Sequence, residues 1–412
     1  IYDEGPVVVF LNDEKTATFN HSISMTLKAG TYNVRLEKEK YIPYTTVLEI
    51  TAGGEKKIKG IIFEKIKKEM AWTASLLYQY KNTESPEEQA IIGFTTSFDT
   101  AIAATECAVI GFKNREKKWI SSYGKSRGTY FMSMPLLHNN KVYISSINDY
   151  KFLILNAATG REIKVIDAPG YMSYGSSMVI HQYTIYIPFG SGIYELYPET
   201  GTISAAPLYN ISSPTTPVFS RDRVYVSSFT DEIIMSFSMD GTKKWSFSPE
   251  KKSYCRVALI DETLYFGDNY GFFYILGKDM KKKKTAKLPE GIVSITAGDK
   301  NSLYIFTMGG NLYRMDTRTL LVKLFLSIDK SPDPNEYHYK KPLYANGKIF
   351  MGTDSGEVII INTESAAIEK RLPVSGSAFS CSVHPFMGAY LAGTKSGEVF
   401  MIEYKEKAND DQ

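Results

Sequence analysis

The chain repeats itself. Residues 350–362 read FMGTDSGEVIIIN and residues 391–403 read LAGTKSGEVFMIE, sharing Gly-Thr-x-Ser-Gly-Glu-Val at a step of 41 residues. A fixed period of this length constrains the fold strongly, because each unit must bury its apolar surface on its neighbours. The aromatic or aliphatic residue just before the shared turn recurs, reading back from Leu391, at Phe350, Tyr304, Tyr265, Tyr225, Tyr186, Tyr143 and Ile102. The steps are 41, 46, 39, 40, 39, 43 and 41 residues.

Each unit has the same grammar: a short apolar strand (TPVF, VALI, KPLYA), a polar turn (SRDR, DET, NGK), a strand through the anchor (VYVSS, LYFGD, IFMGT) and a third strand (GFFYILG, GNLYRMD, GEVIIIN). Six residues after the anchor stands Gly192, Asp231, Gly271, Gly310, Gly356 or Gly397, the residue types that a tight hairpin with positive φ favours. The shared heptad is therefore a hairpin before it is anything else. Abundant Tyr (29) and Phe (22) favour strands over helices. About 41 residues per unit without an amphipathic helical stripe fits a propeller blade and not an armadillo-type array. The expectation is an all-β chain with an eight-bladed β-propeller over residues 70–405.

The segments after the third strands are NAATGREIKV, YPETGTISAA, SMDGTKKWSF and KNREKKWISS. They resemble the PQQ-type propeller repeat, Ala-x-Asp-x-x-Thr-Gly-x-x-x-Trp. Thr159-Gly160 and Thr200-Gly201 fit it, Asp240-Gly241 approximates it, and Trp119 and Trp245 occupy the tryptophan place. Lys164, Ala205, Thr285, Leu324 and Lys370 stand there in other units. The resemblance implies that the tryptophan docks one blade on the next. The last unit lacks a fourth strand, whereas MAWTASLLYQY before the first unit reads as an isolated one, with Trp72 in the docking place. Residues 70–78 are expected to close the last blade, and residues 406–412 to form a polar tail.

Residues 1–63 lack the period and read as short alternating strands, a small β-sandwich. The succession of Asn12-Asp13, LKAGTY at residues 27–32, Tyr41, Tyr44 and Gly53-Gly54 resembles a PEGA domain, an extracytoplasmic module of bacterial proteins. Leu36, Tyr41 and Tyr44 are read as core, and the charged residues 64–69 as a short linker.

Chemistry is scarce. Quinoprotein dehydrogenases, which the PQQ-type resemblance raises, use floor tryptophans, a calcium site and commonly vicinal cysteines. Here the three Trp are assigned to docking and Cys107, Cys255 and Cys381 lie far apart, so no cofactor is expected. His21, His138, His181, His338 and His384 show no metal-ligating spacing. His138 and His181 fall at related places near the turn between first and second strands. A formal charge of +3 gives no case for nucleic acid, and no apolar run approaches the roughly 20 residues of a membrane span. No signal-peptide pattern is visible, and the chain opens at Ile1, as a processed or trimmed protein would.

Two surface features stand out. Lys281–Lys284 is the densest charge run, read as a protruding turn open to acidic groups. The 46-residue step hides an insertion in SIDKSPDPNEYHYKKP, whose Tyr337, His338, Tyr339, Lys340 and Lys341 form the expected partner contact. The functional expectation is a non-catalytic protein-binding scaffold of the bacterial envelope or periplasm. The alternative is a small-ligand or glycan binder, or an enzyme, using the central channel.

Overall fold

The computed structural model describes residues 6–12, 14–20, 22–38, 44–58, 70–81, 89–123, 131, 133–146, 149–172, 176–249, 257–277, 281–299, 301–328, 342–375, 379–380 and 383–406. The chain divides into two compact units, Ile1–Ala71 with Lys405–Gln412, and Trp72–Tyr404. The expected linker, residues 64–69, and Tyr41 lie outside the described residues.

The smaller unit holds one antiparallel sheet in the order Glu14–Phe19, Val7–Leu11, Gly30–Lys38, Tyr44–Ile50. Alternation along its central strands sends Val7, Val9, Val34 and Leu36 to one buried face. Residues 22–28, expected to be a strand, run irregularly, as do residues 55–58. Met25 and Ile58 from these segments still pack on that face, beside Tyr44.

In the larger unit, the described residues form eight antiparallel sheets read first to fourth strand, seven of four strands and the third with a fifth, since Thr202–Ile203 and Tyr209–Asn210 both pair with Gly192–Tyr197. They span 91–122, 136–167, 179–210, 218–247, 258–287, 292–327, 343–373 and 384–406, numbered here sheets 1 to 8. Seven take all their strands from consecutive sequence. Sheet 8 instead takes its fourth strand, Met70–Gln79, from the front of the unit.

Each sheet is buried on both faces, because its strands alternate between two neighbours. In sheet 2, Val142 and Ile144 enter a core shared with sheet 1, while Tyr143 enters one shared with sheet 3. Eight such cores join successive sheets, and the last joins sheet 8 to sheet 1 through Leu391, Met401, Phe94 and Ile110. The series returns on itself. All eight anchor residues, Ile102 to Leu391, lie on second strands, are buried, and face the following sheet.

Docking chemistry concentrates on the fourth strand. Trp119 pairs with Gly111 on the third strand of its own sheet, where a Cβ would lie 2.1 Å from the ring. Its other side meets Gly160 of sheet 2, whose Cβ would come within 2.3 Å, and its indole N–H donates to the Ala157 carbonyl at 2.9 Å. The Thr-Gly turn thus admits the ring because Gly160 has no side chain, and Gly160 also holds φ +71°. Lys164 fills the same role in sheet 2. Its ammonium donates to the Thr200 carbonyl at 3.2 Å while its stem lies against Gly201. Trp245 joins the core shared with sheet 5.

A β-bulge precedes the tryptophan place in sheets 1, 2, 4, 5 and 7, at Lys118, Ile163, Lys244, Lys283 and Glu369. It bends the outer strand and turns the next residue toward the neighbour. Three readings are corrected by this register. In sheet 5 the place belongs to Lys284, opposite Ile275, and not to Thr285. In sheet 6 it belongs to Lys323, opposite the Arg314 that pairs with the anchor Tyr304, and not to Leu324. Lys282–Lys287 is itself the fourth strand, so most of the lysine run is strand and not a turn.

The seam copies the other sheets. In sheets 5 to 8 the residue after the fourth strand donates its N–H to the carbonyl of the tip glycine: Leu288 to Gly271, Ile328 to Gly310, Val374 to Gly356, and Tyr80 to Gly397 at 2.8 Å. In sheet 8 Leu77 and Tyr78 of the fourth strand pack on the core shared with sheet 1. Trp72 instead faces backward, into the core shared with sheet 7, with ring centroids 5.3 Å from Phe350 and 4.9 Å from Tyr404. Its indole N–H donates to Glu369 at 2.7 Å, and Lys348 pairs with the same carboxylate. Burial alone would raise that carboxyl, but the two donors outweigh it and hold it below its ordinary value. On the other side, Arg115 of sheet 1 pairs with Glu403 of sheet 8 at 2.6 Å.

Two outcomes follow. Gly160→Ala combines a left-handed φ with overpacking, and costs about 2–4 kcal/mol by denaturant titration; Gly170→Ala, with nothing within 4 Å, stays within about 0.5 kcal/mol. A chain starting at residue 70 melts cooperatively, whereas one starting at residue 82 leaves the strand Glu398–Glu406 unpaired at its edge and aggregates in sedimentation assays.

Candidate functional site

First strands of sheets 1 and 2, 4 and 5, 5 and 6, 6 and 7, and 8 and 1 lie against one another, so they form the inner wall of the ring. That wall is apolar, with Leu136, Ile180, Phe219, Leu259 and Tyr344 half-buried. No described first strand carries Asp or Glu. His138 and His181 close equivalent first strands, Leu136–His138 and Val179–His181, while His384 opens His384–Phe386 and so lies deeper. His181 stacks on Phe219 with centroids 4.5 Å apart, and burial pushes its pKa down. Burial also lowers His384, against the opposing pull of the Pro385 carbonyl; Thr96 Oγ1 lies 3.3 Å from its Nδ1. The histidines stand on different sheets, and the described residues hold no cluster of three metal-ligating side chains.

Because every sheet repeats one strand order, equivalent turns fall at one end of the ring. The first-to-second-strand turns carry the most exposed large side chains described: Phe98 in sheet 1 is 93% exposed and Tyr183 in sheet 3 is 87%. Met387 stands at the same place in sheet 8. Turn geometry explains the outward pose, since Gln182-Tyr183 and Met387-Gly388 both have positive φ at two successive residues, the type I′ signature. The arc from sheet 7 through sheet 3 presents Asn346-Gly347, Met387-Gly388, Ser97-Phe98-Asp99, Asn139-Asn140 and Gln182-Tyr183. Its one charge among the described turn residues, Asp99, lies 3.7 Å from Lys113. The opposite arc carries Asp222 beside Arg221, then Asp261-Glu262, then Asp299, and the third-to-fourth-strand turns of sheets 5 and 6 bring Lys281 and Arg318 to the same end.

At the other end of the ring the sequence reading missed a series. Three residues after each anchor but Tyr186 stands a Ser, Thr or Asp: Thr105, Ser146, Ser228, Asp268, Thr307, Thr353 and Thr394. Each side-chain oxygen accepts a backbone N–H across its hairpin, as Glu357 N–H to Thr353 at 3.1 Å and Glu398 N–H to Thr394 at 3.1 Å. Asp268 is the one carboxylate in the series. Burial raises its pKa, while N–H groups of Phe272 and Tyr270 and the Tyr274 hydroxyl donate to it. It is a hairpin brace. Counting from the anchors would have found the series; the expected contact residues Tyr337, His338, Tyr339, Lys340 and Lys341 lie outside the described residues.

Ring, inner wall and turn face together define a β-propeller. No known protein family matches the chain, and no curated protein does. Among solved structures it is similar to BamB from Moraxella catarrhalis, with 14% identity and TM-score 0.60 over 80% of this chain and 100% of that one. It is similar also to Sqt1 from Saccharomyces cerevisiae, with 11% identity and TM-score 0.63 over 78% and 97%. The computationally designed protein Ika8 gives 12% identity and TM-score 0.62 over 77% and 96%. Likeness at such identity shows the fold alone.

The two depressed histidines set a pH response. Each folded pKa lies below the ordinary value of about 6.5, so the unfolded chain binds more protons as pH falls through that value. Stability is full above that value and declines below it. The protein is expected to melt roughly 2–4 °C lower at about pH 5.5 than at about pH 7.5, with a smaller drop in His384→Gln, by calorimetry.

Proposed function

We propose that the chain is a non-catalytic protein-binding scaffold of the bacterial cell envelope, an eight-bladed PQQ-like propeller behind a PEGA-like module. Eight sheets joined by eight cores support the blade count. The envelope placement rests on the resemblance of the repeat and the front module to PQQ-type and PEGA sequences.

One observation carries the binding role: Phe98 and Tyr183 project almost free of contact from the turns of one face. Large exposed aromatics cost solubility and are enriched where proteins dock. The alternative, a small ligand or glycan at the channel mouth, draws on the same aromatics, because their faces stack on sugar rings. Such sites are concave, and side chains 93% and 87% exposed do not wall a cleft.

A photo-crosslinking residue at position 98 or 183 of the full chain, in cells of the source organism, is expected to trap one discrete protein. The same residue at Ile163, on an outer strand, traps none. Saturable oligosaccharide binding with no trapped protein would transfer the function to the alternative.

A further inference from the structure

We infer that the outer edge of sheet 8, the strand Met70–Gln79, pairs antiparallel with the same strand of a second copy of this chain. An outer strand offers the N–H and C=O groups of one edge to any strand that arrives, and proteins blunt such edges with lysine, bulges, proline or shortness. Seven of the eight sheets do so. The fourth strands of sheets 1, 2, 4, 5, 6 and 7 each combine a β-bulge with lysine, at Lys118, Lys164, Lys244, Lys283, Lys323 and Lys370 among others. In sheet 3 the strand Thr202–Ile203 has two residues, and Pro207 follows shortly after. Met70–Gln79 carries no lysine, no other charge and no proline, and at ten residues it is the longest of the eight. It ends its sheet, so among the described residues no strand covers its outer edge. Met70, Ser75 and Leu76 are exposed along it.

The strand is held from both sides, by Trp72 and Ala74 in the core shared with sheet 7 and by Leu77 and Tyr78 in that shared with sheet 1. Its edge is therefore presented already ordered, and pairing costs little further backbone entropy. What arrives must itself bring an open, uncharged strand of similar length, and the chain supplies one in another copy of itself. A two-fold axis through the middle of the ladder satisfies both edges at once, so the assembly closes as a dimer and does not grow. Because the strand holds no charge, no register sets like charges opposite one another. The same operation on the fourth strand of sheet 5 opposes Lys284 to itself, or Lys283 to Lys287. Sheet 6, whose Leu321 and Leu324 are exposed, is the nearest rival, but a bulge at Phe325 bends its edge and Lys323 charges it. A single ladder is a small interface, so the pairing depends on concentration. It is separate from the turn face and stands or falls without it.

Sedimentation velocity of the full chain, from about 1 to 500 µM, is the test. A monomer–dimer equilibrium with no larger species is expected. Leu76→Lys or Ser75→Lys puts the missing charge on the edge and weakens dimerisation about tenfold or more. Leu324→Lys, on the outer strand of sheet 6, leaves it unchanged. All three positions are exposed, and circular dichroism with melting checks the fold of each variant. A photo-crosslinking residue at position 76 of the purified chain joins chain to chain, and one at position 324 does not. Monomer at every concentration, a dimer indifferent to both edge lysines, equal weakening by Leu324→Lys, or open-ended growth would overturn the inference. A chain that stays monomeric when pure but is joined at position 76 to a different protein in cells would also overturn it, and would assign the edge to that protein's strand.

Discussion

No sheet of the ring owns a core. The apolar side chains of each second and third strand are divided between two neighbours, as Val142 and Tyr143 are in sheet 2. A sheet cut from its neighbours would expose apolar surface on both faces, at about 25 cal/mol for every Å² returned to water. Stability is therefore a property of the contacts between sheets, and a linear stack would leave two raw faces. Closing sheet 8 on sheet 1 removes both at once. Trp72 with Glu369 on one side of sheet 8, and Arg115 with Glu403 on the other, add hydrogen bonds to that seam.

Legibility in the sequence follows burial. Second and third strands are buried on both faces and joined by a tight turn, so they read as apolar runs around a glycine, and their spacing gives the period. Fourth strands face solvent with one edge and tolerate substitution. In sheets 1, 2, 4, 5 and 7 their shared element is a bulge, set by backbone register and not by residue type, so it has no letter of its own. Hence motif spacing points to Thr285 where the register has Lys284 and to Leu324 where it has Lys323, and Trp72 docks backward on sheet 7 and not forward on sheet 1. The Thr-Gly turn with tryptophan resolves into a size rule and a donor rule: the glycine leaves room, and an N–H caps the turn carbonyl. Lys164 obeys the second without being aromatic, so an eroded motif preserves its physics.

The interaction face was not legible. Phe98 and Tyr183 in a linear sequence are two more aromatics among many, and only the ring places them at one end. Type I′ geometry then turns Tyr183 outward. Conversely, His181 and Asp268, the residue types that draw attention in a search for chemistry, stack or brace.

Sheet 8 draws on both ends of the propeller sequence. A ribosome that has emitted the strand Met70–Gln79 holds a ribbon with no ladder partner until Glu398–Glu406 has left the exit tunnel, more than three hundred residues afterwards. Throughout that interval sheet 1 also waits for one of its two neighbours. The ring is consequently sealed after translation of its last strand, and the waiting ribbon is the segment a chaperone would need to shield.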